Sequence, residues 1–90
     1  MSTKTWFIYI LRCADDSLYT GITLDVDKRL DEHNGIEKNG AKYTLGRRPV
    51  KLAYTESSNS RSAACKREYA IKNLTRSEKE ILIQQRSDEK

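Results

Sequence analysis

The sequence has few of the residues that build zinc sites or disulfide frameworks. Its 90 residues include one histidine, His33, and two cysteines, Cys13 and Cys65, which lie far apart. This set cannot supply the ligands of a structural zinc site, so we expect any metal to be bound by oxygen. A disulfide is possible by count, but two free thiols are the expectation for a reducing compartment.

Long apolar runs are also absent. The longest, Trp6 to Leu11, has the length of a strand and is too short for a membrane span or the apolar region of a secretory signal. We therefore expect a cytoplasmic protein. The short chain predicts a single domain, with a core over about residues 4–84 and a frayed tail over 85–90.

Positive charge is unevenly distributed. The chain has 17 Lys and Arg against 13 Asp and Glu, a formal net charge of +4. One segment contains no acid and five basic residues: Lys38, Lys42, Arg47, Arg48 and Lys51. Such a segment is often only a solvated surface, but it could also bind an anionic partner such as nucleic acid.

The first half of the chain predicts a β-hairpin followed by a helix. Residues 6–13 and 18–22 are rich in aromatic and β-branched residues and flank a polar turn. Thr23 or Asp25 can cap a helix that ends at Asn34-Gly35. Arg29 and His33 are four positions apart in this helix, so both can point the same way.

The second half predicts a strand and two helices. Residues 50–56 alternate so that Val50, Leu52 and Tyr54 share one face. A helix over 61–73 places Glu68 on the apolar line from Ala64 to Ile71. Capping-box patterns at 75–78 and 77–80 predict the start of a last helix, which runs through residue 83.

A few polar side chains fall on the core side of these elements. Each has an ordinary structural explanation, such as a packed tyrosine ring, an arginine whose stem covers apolar surface, a histidine at a helix end or a carboxylate paired with a cation. Together, a carboxylate, a guanidinium, phenols and an imidazole suit phosphodiester hydrolysis. The candidates are Tyr9, Tyr19, Arg29, His33 and Glu68.

Two tripeptides and the helix that follows them resemble the GIY-YIG nuclease family. They are Phe7-Ile8-Tyr9 and Tyr19-Thr20-Gly21, followed by Lys28-Arg29-Leu30 and His33. The later segment from Ala64 to Arg76, which includes Glu68, resembles the small single-domain bacterial branch of that family. The resemblance extends from Trp6 to Ile83.

The resemblance implies an α/β (α+β) fold with a small central three-stranded antiparallel sheet flanked by helices, in the order β-β-α-β-α-α. It also implies that Glu68 binds Mg²⁺ or Mn²⁺ and that Arg29 stabilises phosphoryl charge. Tyr9 is the expected base for the attacking water, with Tyr19 and His33 orienting water and phosphate. Which tyrosine acts as the base differs within the family.

The leading hypothesis is thus a metal-dependent endonuclease of low sequence specificity, directed to branched, damaged or single-stranded DNA, which includes DNA repair among its expected roles. We expect a monomer, with a protein partner possible for targeting. The alternatives are a non-catalytic nucleic-acid-binding module, a partner-dependent nuclease subunit or a protein-interaction adaptor. The expected DNA contacts are Lys42, Tyr43, Arg47, Arg48 and Lys51.

Overall fold

A computed structural model describes residues 5–35 and 46–88, and for residues 86–88 it describes the backbone alone. The described residues form three strands and three helices in the predicted order: β1 (Trp6–Arg12), β2 (Leu18–Thr23), α1 (Val26–His33), β3 (Lys51–Ser58), α2 (Arg61–Lys72) and α3 (Arg76–Asp88). The α/β fold with a three-stranded antiparallel sheet is therefore confirmed. Of the basic segment, Lys38, Lys42 and Tyr43 lie outside the described residues.

The sheet has the order β2-β1-β3, and both neighbouring pairs are antiparallel. The predicted hairpin between β1 and β2 is confirmed, and Asp16 in its turn has φ 69°, a left-handed conformation that Asp tolerates better than most residues. In this pairing, Tyr9 lies opposite Gly21 and Ile10 lies opposite Thr20.

The central strand β1 is buried on both faces. Ile8 and Ile10 pack with Ala64 and Ile71 of α2, and the partly buried Leu82 of α3 joins this cluster. On the opposite face, Tyr9, Leu11, Cys13 and Val50 pack with Leu30 of α1 and with Tyr19. The side chains of β1 alternate between these two clusters because successive strand residues point to opposite faces.

A β-bulge places the side chains of β3 on different faces of the sheet from those that the sequence predicts. Ile10 lies opposite Tyr54, but Leu11 lies opposite Leu52, so β3 has one residue more than β1 at this point. The extra residue moves Val50 and Leu52 to the face opposite Tyr54. Val50 is buried there, whereas Leu52 is 42% exposed. The prediction that the three share one face was wrong, because alternation in sequence cannot show an extra residue.

The helix boundaries follow local capping. Asp25 is the N-cap of α1, and its side chain accepts a hydrogen bond from the Lys28 amide at 3.1 Å. Ser60 caps α2 in the same way. Thr75 and Glu78 form the predicted reciprocal capping box before α3, with contacts of 2.8 and 3.2 Å.

An ion-pair network joins α3 to the hairpin. The Arg12 guanidinium donates to both oxygens of Glu80, at 2.6 and 2.9 Å. Arg76 bridges Glu80 and Asp16 at 3.0 and 3.1 Å. The helix continues to Asp88, into the segment expected to be frayed, because it contains no glycine or proline to end it. None of the described helices has the length and apolarity needed to cross a membrane.

Candidate active site

The first element of the candidate site is the close approach of Tyr9 to β2. A Cβ added at Gly21, directly across the ladder, would lie 2.5 Å from the Tyr9 hydroxyl oxygen and 2.7 Å from Cζ. Such contacts are too short for real atoms, so the Tyr9 ring occupies the space where any other residue's side chain would begin. Glycine at position 21 therefore lets the phenol lie across β2.

Three aromatic rings meet on this face of the sheet. The Tyr9 hydroxyl oxygen is 2.9 Å from Nε2 of His33, a hydrogen bond that joins β1 to the end of α1. The ring centroids of Tyr19 and His33 are 5.0 Å apart, and those of Tyr9 and Tyr19 are 6.3 Å apart. Tyr9 is 2% exposed and His33 is fully buried. The structure thus brings these three predicted residues together.

Burial shifts the proton equilibria of the Tyr9–His33 pair. Burial raises the pKa of Tyr9 to about 12, against a lowering effect of a hydrogen bond with Arg29. Burial, together with the positive charge of Arg29, lowers the pKa of His33 to about 4. At neutral pH both groups are therefore uncharged, so one ring nitrogen of His33 carries a proton and the other is a hydrogen-bond acceptor.

Arg29 lies beside this pair and is paired with Glu32. The Arg29 Nη1 is 2.8 Å from the Glu32 carboxylate, whose side chain is only 11% exposed. Glu32 is not among the predicted site residues, although its spacing of three positions from Arg29 on one helix indicates that the two side chains can meet. A nearly buried carboxylate holds the guanidinium in place and offsets part of its charge.

Glu68 lies on α2, the helix that packs against the Ile8 and Ile10 face of the sheet. Its negative charge contributes to raising the pKa of Tyr9. The carboxylate is 22% exposed, and its Oε2 is 3.3 Å from Nζ of Lys72. Glu68 is therefore accessible from solvent at the edge of the site, with a displaceable cation next to it.

The donor set fits a hard divalent ion with one protein ligand. Within the part of the chain that the structure describes, no three His, Cys, Asp or Glu side chains gather into a metal cluster. Mg²⁺ usually keeps several waters and binds one or two carboxylates together with substrate phosphates. Glu68 would be that carboxylate, and phosphate and water would complete the coordination.

The end of α1 is fixed to the start of β3. The Asn34 side chain accepts from the Val50 amide at 2.7 Å and donates to the Val50 carbonyl at 3.1 Å. The Arg48 Nε donates to the His33 carbonyl at 2.8 Å. Gly35 has φ +84°, and a Cβ there would be 2.6 Å from Nη1 of Arg48. These contacts hold His33 in its position under Tyr9.

Three of the residues expected to contact DNA lie within the described part of the chain, and their environments differ. Arg48 is partly buried against His33, so its contact with the helix end is structural whatever else it binds. Arg47 is paired with Asp15 at 3.0 Å. Lys51 is exposed at the start of β3.

The chain matches known proteins along most of its length. The model of the GIY-YIG catalytic domain matches residues 5–81. A UPF0213 protein of Desulfotalea psychrophila is 54% identical over 78 residues, which are 87% of this chain and 70% of that protein. A UPF0213 protein of Natronomonas pharaonis is 52% identical over 77 residues, covering 86% of this chain and 88% of the relative.

Solved structures agree with these matches. The solution NMR structure of the UPF0213 protein BH0048 from Bacillus halodurans aligns with a TM-score of 0.57 and 44% identity, over 89% of this chain and 83% of that one. The solution NMR structure of EF2693 from E. faecalis gives 0.58 and 43%, over 88% and 83%. The chain therefore belongs to the GIY-YIG nuclease family.

Proposed function

We propose that this protein is a divalent-metal-dependent endonuclease that hydrolyses DNA phosphodiester bonds with little sequence specificity. The observation that supports this most directly is the 2.9 Å contact between the Tyr9 hydroxyl and Nε2 of a buried His33. A phenol and an uncharged imidazole in contact form a path for a proton, which is what activation of a water nucleophile needs.

In this mechanism the attacking water gives a proton to the Tyr9 oxygen while Tyr9 passes its own proton to Nε2 of His33. The transfer needs His33 to be uncharged beforehand, and its pKa of about 4 satisfies that condition at neutral pH. The negative charge of Glu32 acts in the opposite direction to burial and favours the protonated imidazole. It would stabilise the imidazolium that forms during the step.

Arg29 and Glu68 would act on the phosphate. Arg29 is held by Glu32 next to Tyr9, where its guanidinium can stabilise charge that develops on the phosphoryl oxygens. Glu68 would hold Mg²⁺ or Mn²⁺, which when bound polarises the phosphate and stabilises the leaving oxygen. Tyr19, packed against His33, would keep the imidazole in orientation.

The test is cleavage of labelled DNA duplex, single strand, flap and four-way junction in Mg²⁺ or Mn²⁺. We expect Glu68→Gln and Arg29→Gln to lower the rate by at least about 100-fold, since each removes charge stabilisation of the transition state. The matched control is Asp31→Asn, which neutralises an exposed carboxylate on α1 and should leave the rate unchanged. Circular dichroism shows whether each variant is folded.

Two results would contradict the proposal. One is cleavage by folded Glu68→Gln at the wild-type rate. The other is a wild-type protein that binds these DNAs but cleaves none of them with either metal, which would favour a binding module or a subunit that needs a partner.

A further inference from the structure

Tyr69 is an exposed aromatic residue next to the candidate metal ligand. Its side chain is 73% exposed, more than any other large hydrophobic residue among those described. It follows Glu68 directly in α2, and the two side chains point about 100° apart around the helix axis. Tyr69 therefore projects into solvent at the edge of the surface that a substrate bound at Glu68 would occupy.

Two lysines flank Tyr69 on the same side of α2. Lys66 and Lys72 lie three positions before and after it, so both are its neighbours on the helix surface. Both are exposed. The helix has four cations, Arg61, Lys66, Arg67 and Lys72, against one carboxylate, Glu68. The exposed ring thus lies in a positively charged surface, which we call the α2 face (Lys66, Tyr69 and Lys72).

The chemistry of the α2 face fits a single strand better than a duplex. Lysines attract phosphates of any nucleic acid, but an exposed aromatic ring gains most from stacking on a base that is not already stacked in a helix. Although Lys72 is paired with Glu68 at 3.3 Å, the helix has four cations against this one carboxylate, so its surface complements an anionic partner. Charge complementarity therefore selects nucleic acid as the occupant.

We infer that the α2 face binds an unpaired nucleotide next to the scissile phosphate, with Tyr69 stacked on its base and Lys66 and Lys72 against the flanking phosphates. This inference depends on the proposed nuclease function and specifies its substrate class: DNA with single-stranded or frayed nucleotides. Tyr69 would be a specificity residue, since it touches substrate away from the reacting atoms.

The test is binding of a labelled single strand and of a labelled duplex by the full-length protein, in EDTA so that no cleavage occurs. We expect Tyr69→Ala to weaken single-strand binding by about tenfold and duplex binding by less than about twofold. Tyr69→Phe keeps the ring and should bind as the wild type does. Ile81→Ala, which removes another exposed hydrophobic side chain, 55% exposed on α3, is the matched control.

A second variant tests the charges of the α2 face. Lys66→Gln should weaken both DNAs alike and lower the slope of log affinity against log salt by about one, as expected for a lost phosphate contact. The inference is overturned if folded Tyr69→Ala binds single strands as the wild type does, or if it loses the same factor on the duplex.

The same proteins separate this inference from the nuclease proposal. Cleavage that depends on Glu68 together with unchanged binding by Tyr69→Ala would overturn the substrate inference alone. A wild-type protein that neither binds single strands nor cleaves any DNA would overturn both.

Discussion

The Tyr9 ring lies over Gly21 so closely that a single methyl group at position 21 would overlap its hydroxyl and Cζ, at 2.5 and 2.7 Å. The ring cannot simply move aside, because Tyr9 is 2% exposed and its hydroxyl is hydrogen-bonded to His33 on the other side. The position of the Tyr9 phenol therefore depends on a residue that has no side chain.

Gly21→Ala should consequently lower both activity and stability. The added methyl forces Tyr9 away from His33, and a displacement of about 1 Å at a reacting group can cost about 100-fold in rate. Overpacking of this kind costs about 1–3 kcal/mol of unfolding free energy. Cleavage rates and urea unfolding measure the two effects.

Gly46→Ala is the matched control, because a Cβ there would have no atom within 4 Å. It should change neither the rate nor the unfolding free energy by a measurable amount. A Gly21→Ala protein that cleaves at the rate of Gly46→Ala would show that the Tyr9 position is not needed.

Stability should fall as the pH drops from about 6.5 to about 4. Burial lowers the pKa of His33 from its ordinary 6.5 to about 4, so over this range the unfolded chain binds a proton that the folded chain does not. The stability is complete above pH 6.5 and decreases below it, by up to about 3 kcal/mol. Urea unfolding at pH 5, 6, 7 and 8 measures this slope.

His33→Gln should remove that slope between about pH 5 and pH 6.5. The carboxylate of Glu80 does not interfere, because hydrogen bonds from Arg12 hold its pKa at about 2, and its change in ionisation falls below pH 4.5. An equal slope in wild type and His33→Gln would mean that His33 is not buried in its uncharged form.

Lys72→Met should increase metal affinity in the absence of DNA. The Lys72 ammonium lies 3.3 Å from the Glu68 carboxylate, so a metal ion must displace it and then bind against its repulsion. Removing one charge at this half-exposed site is worth about 1 kcal/mol, or roughly fivefold in affinity. Titration calorimetry with Mn²⁺ measures the change.

Two further variants test whether the titrated metal binds at Glu68. Lys66 lies two positions before Glu68 and so on the far side of the helix from it. Lys66→Met should therefore leave Mn²⁺ affinity near the wild-type value, whereas Glu68→Gln should abolish binding. Weaker Mn²⁺ binding by Lys72→Met than by the wild type would contradict the displacement model.

Thr20→Val should stabilise the protein by about 1 kcal/mol. Thr20 is 3% exposed, and its hydroxyl oxygen has no hydrogen-bond partner within the residues that the structure describes. Replacing an unsatisfied buried hydroxyl with a methyl of similar shape removes a desolvation cost. Chemical denaturation of the two proteins measures the gain.

Thr23→Val on the same strand is the contrasting variant. The Thr23 hydroxyl accepts from the Asp25 amide at 3.1 Å and donates to the Asp25 carbonyl at 3.2 Å. Its loss should destabilise the start of α1 by about 0.5–1 kcal/mol. Destabilisation by both substitutions would show that the Thr20 hydroxyl is satisfied.

The sequence predicted those features that depend on residues close together in the chain. Asp25 as a cap, the Thr75–Glu78 capping box and the position of Glu68 on the Ala64 line all follow from local spacing. The shift of Leu52 to the other face could not be predicted, because a bulge is a property of two paired strands.

The same limit applied to the site. The resemblance to a nuclease family predicted which aromatic, basic and acidic residues form the candidate site. It did not predict the contacts between helices and strands that hold these residues in place. The Arg48 hydrogen bond to the His33 carbonyl spans fifteen positions, and composition suggested only a DNA contact for Arg48. Spacing allows Glu32 to pair with Arg29, but nothing in the sequence indicates that this carboxylate is nearly buried.

The double hydrogen bond between Asn34 and Val50 makes the position of His33 independent of the length of the chain that follows it. It closes the chain on itself just outside the aromatic cluster, so the two ends of residues 35–49 meet at a fixed point. Lengthening such a closed loop costs little free energy. Insertions between residues 36 and 45 should therefore leave the imidazole in its place under the phenol.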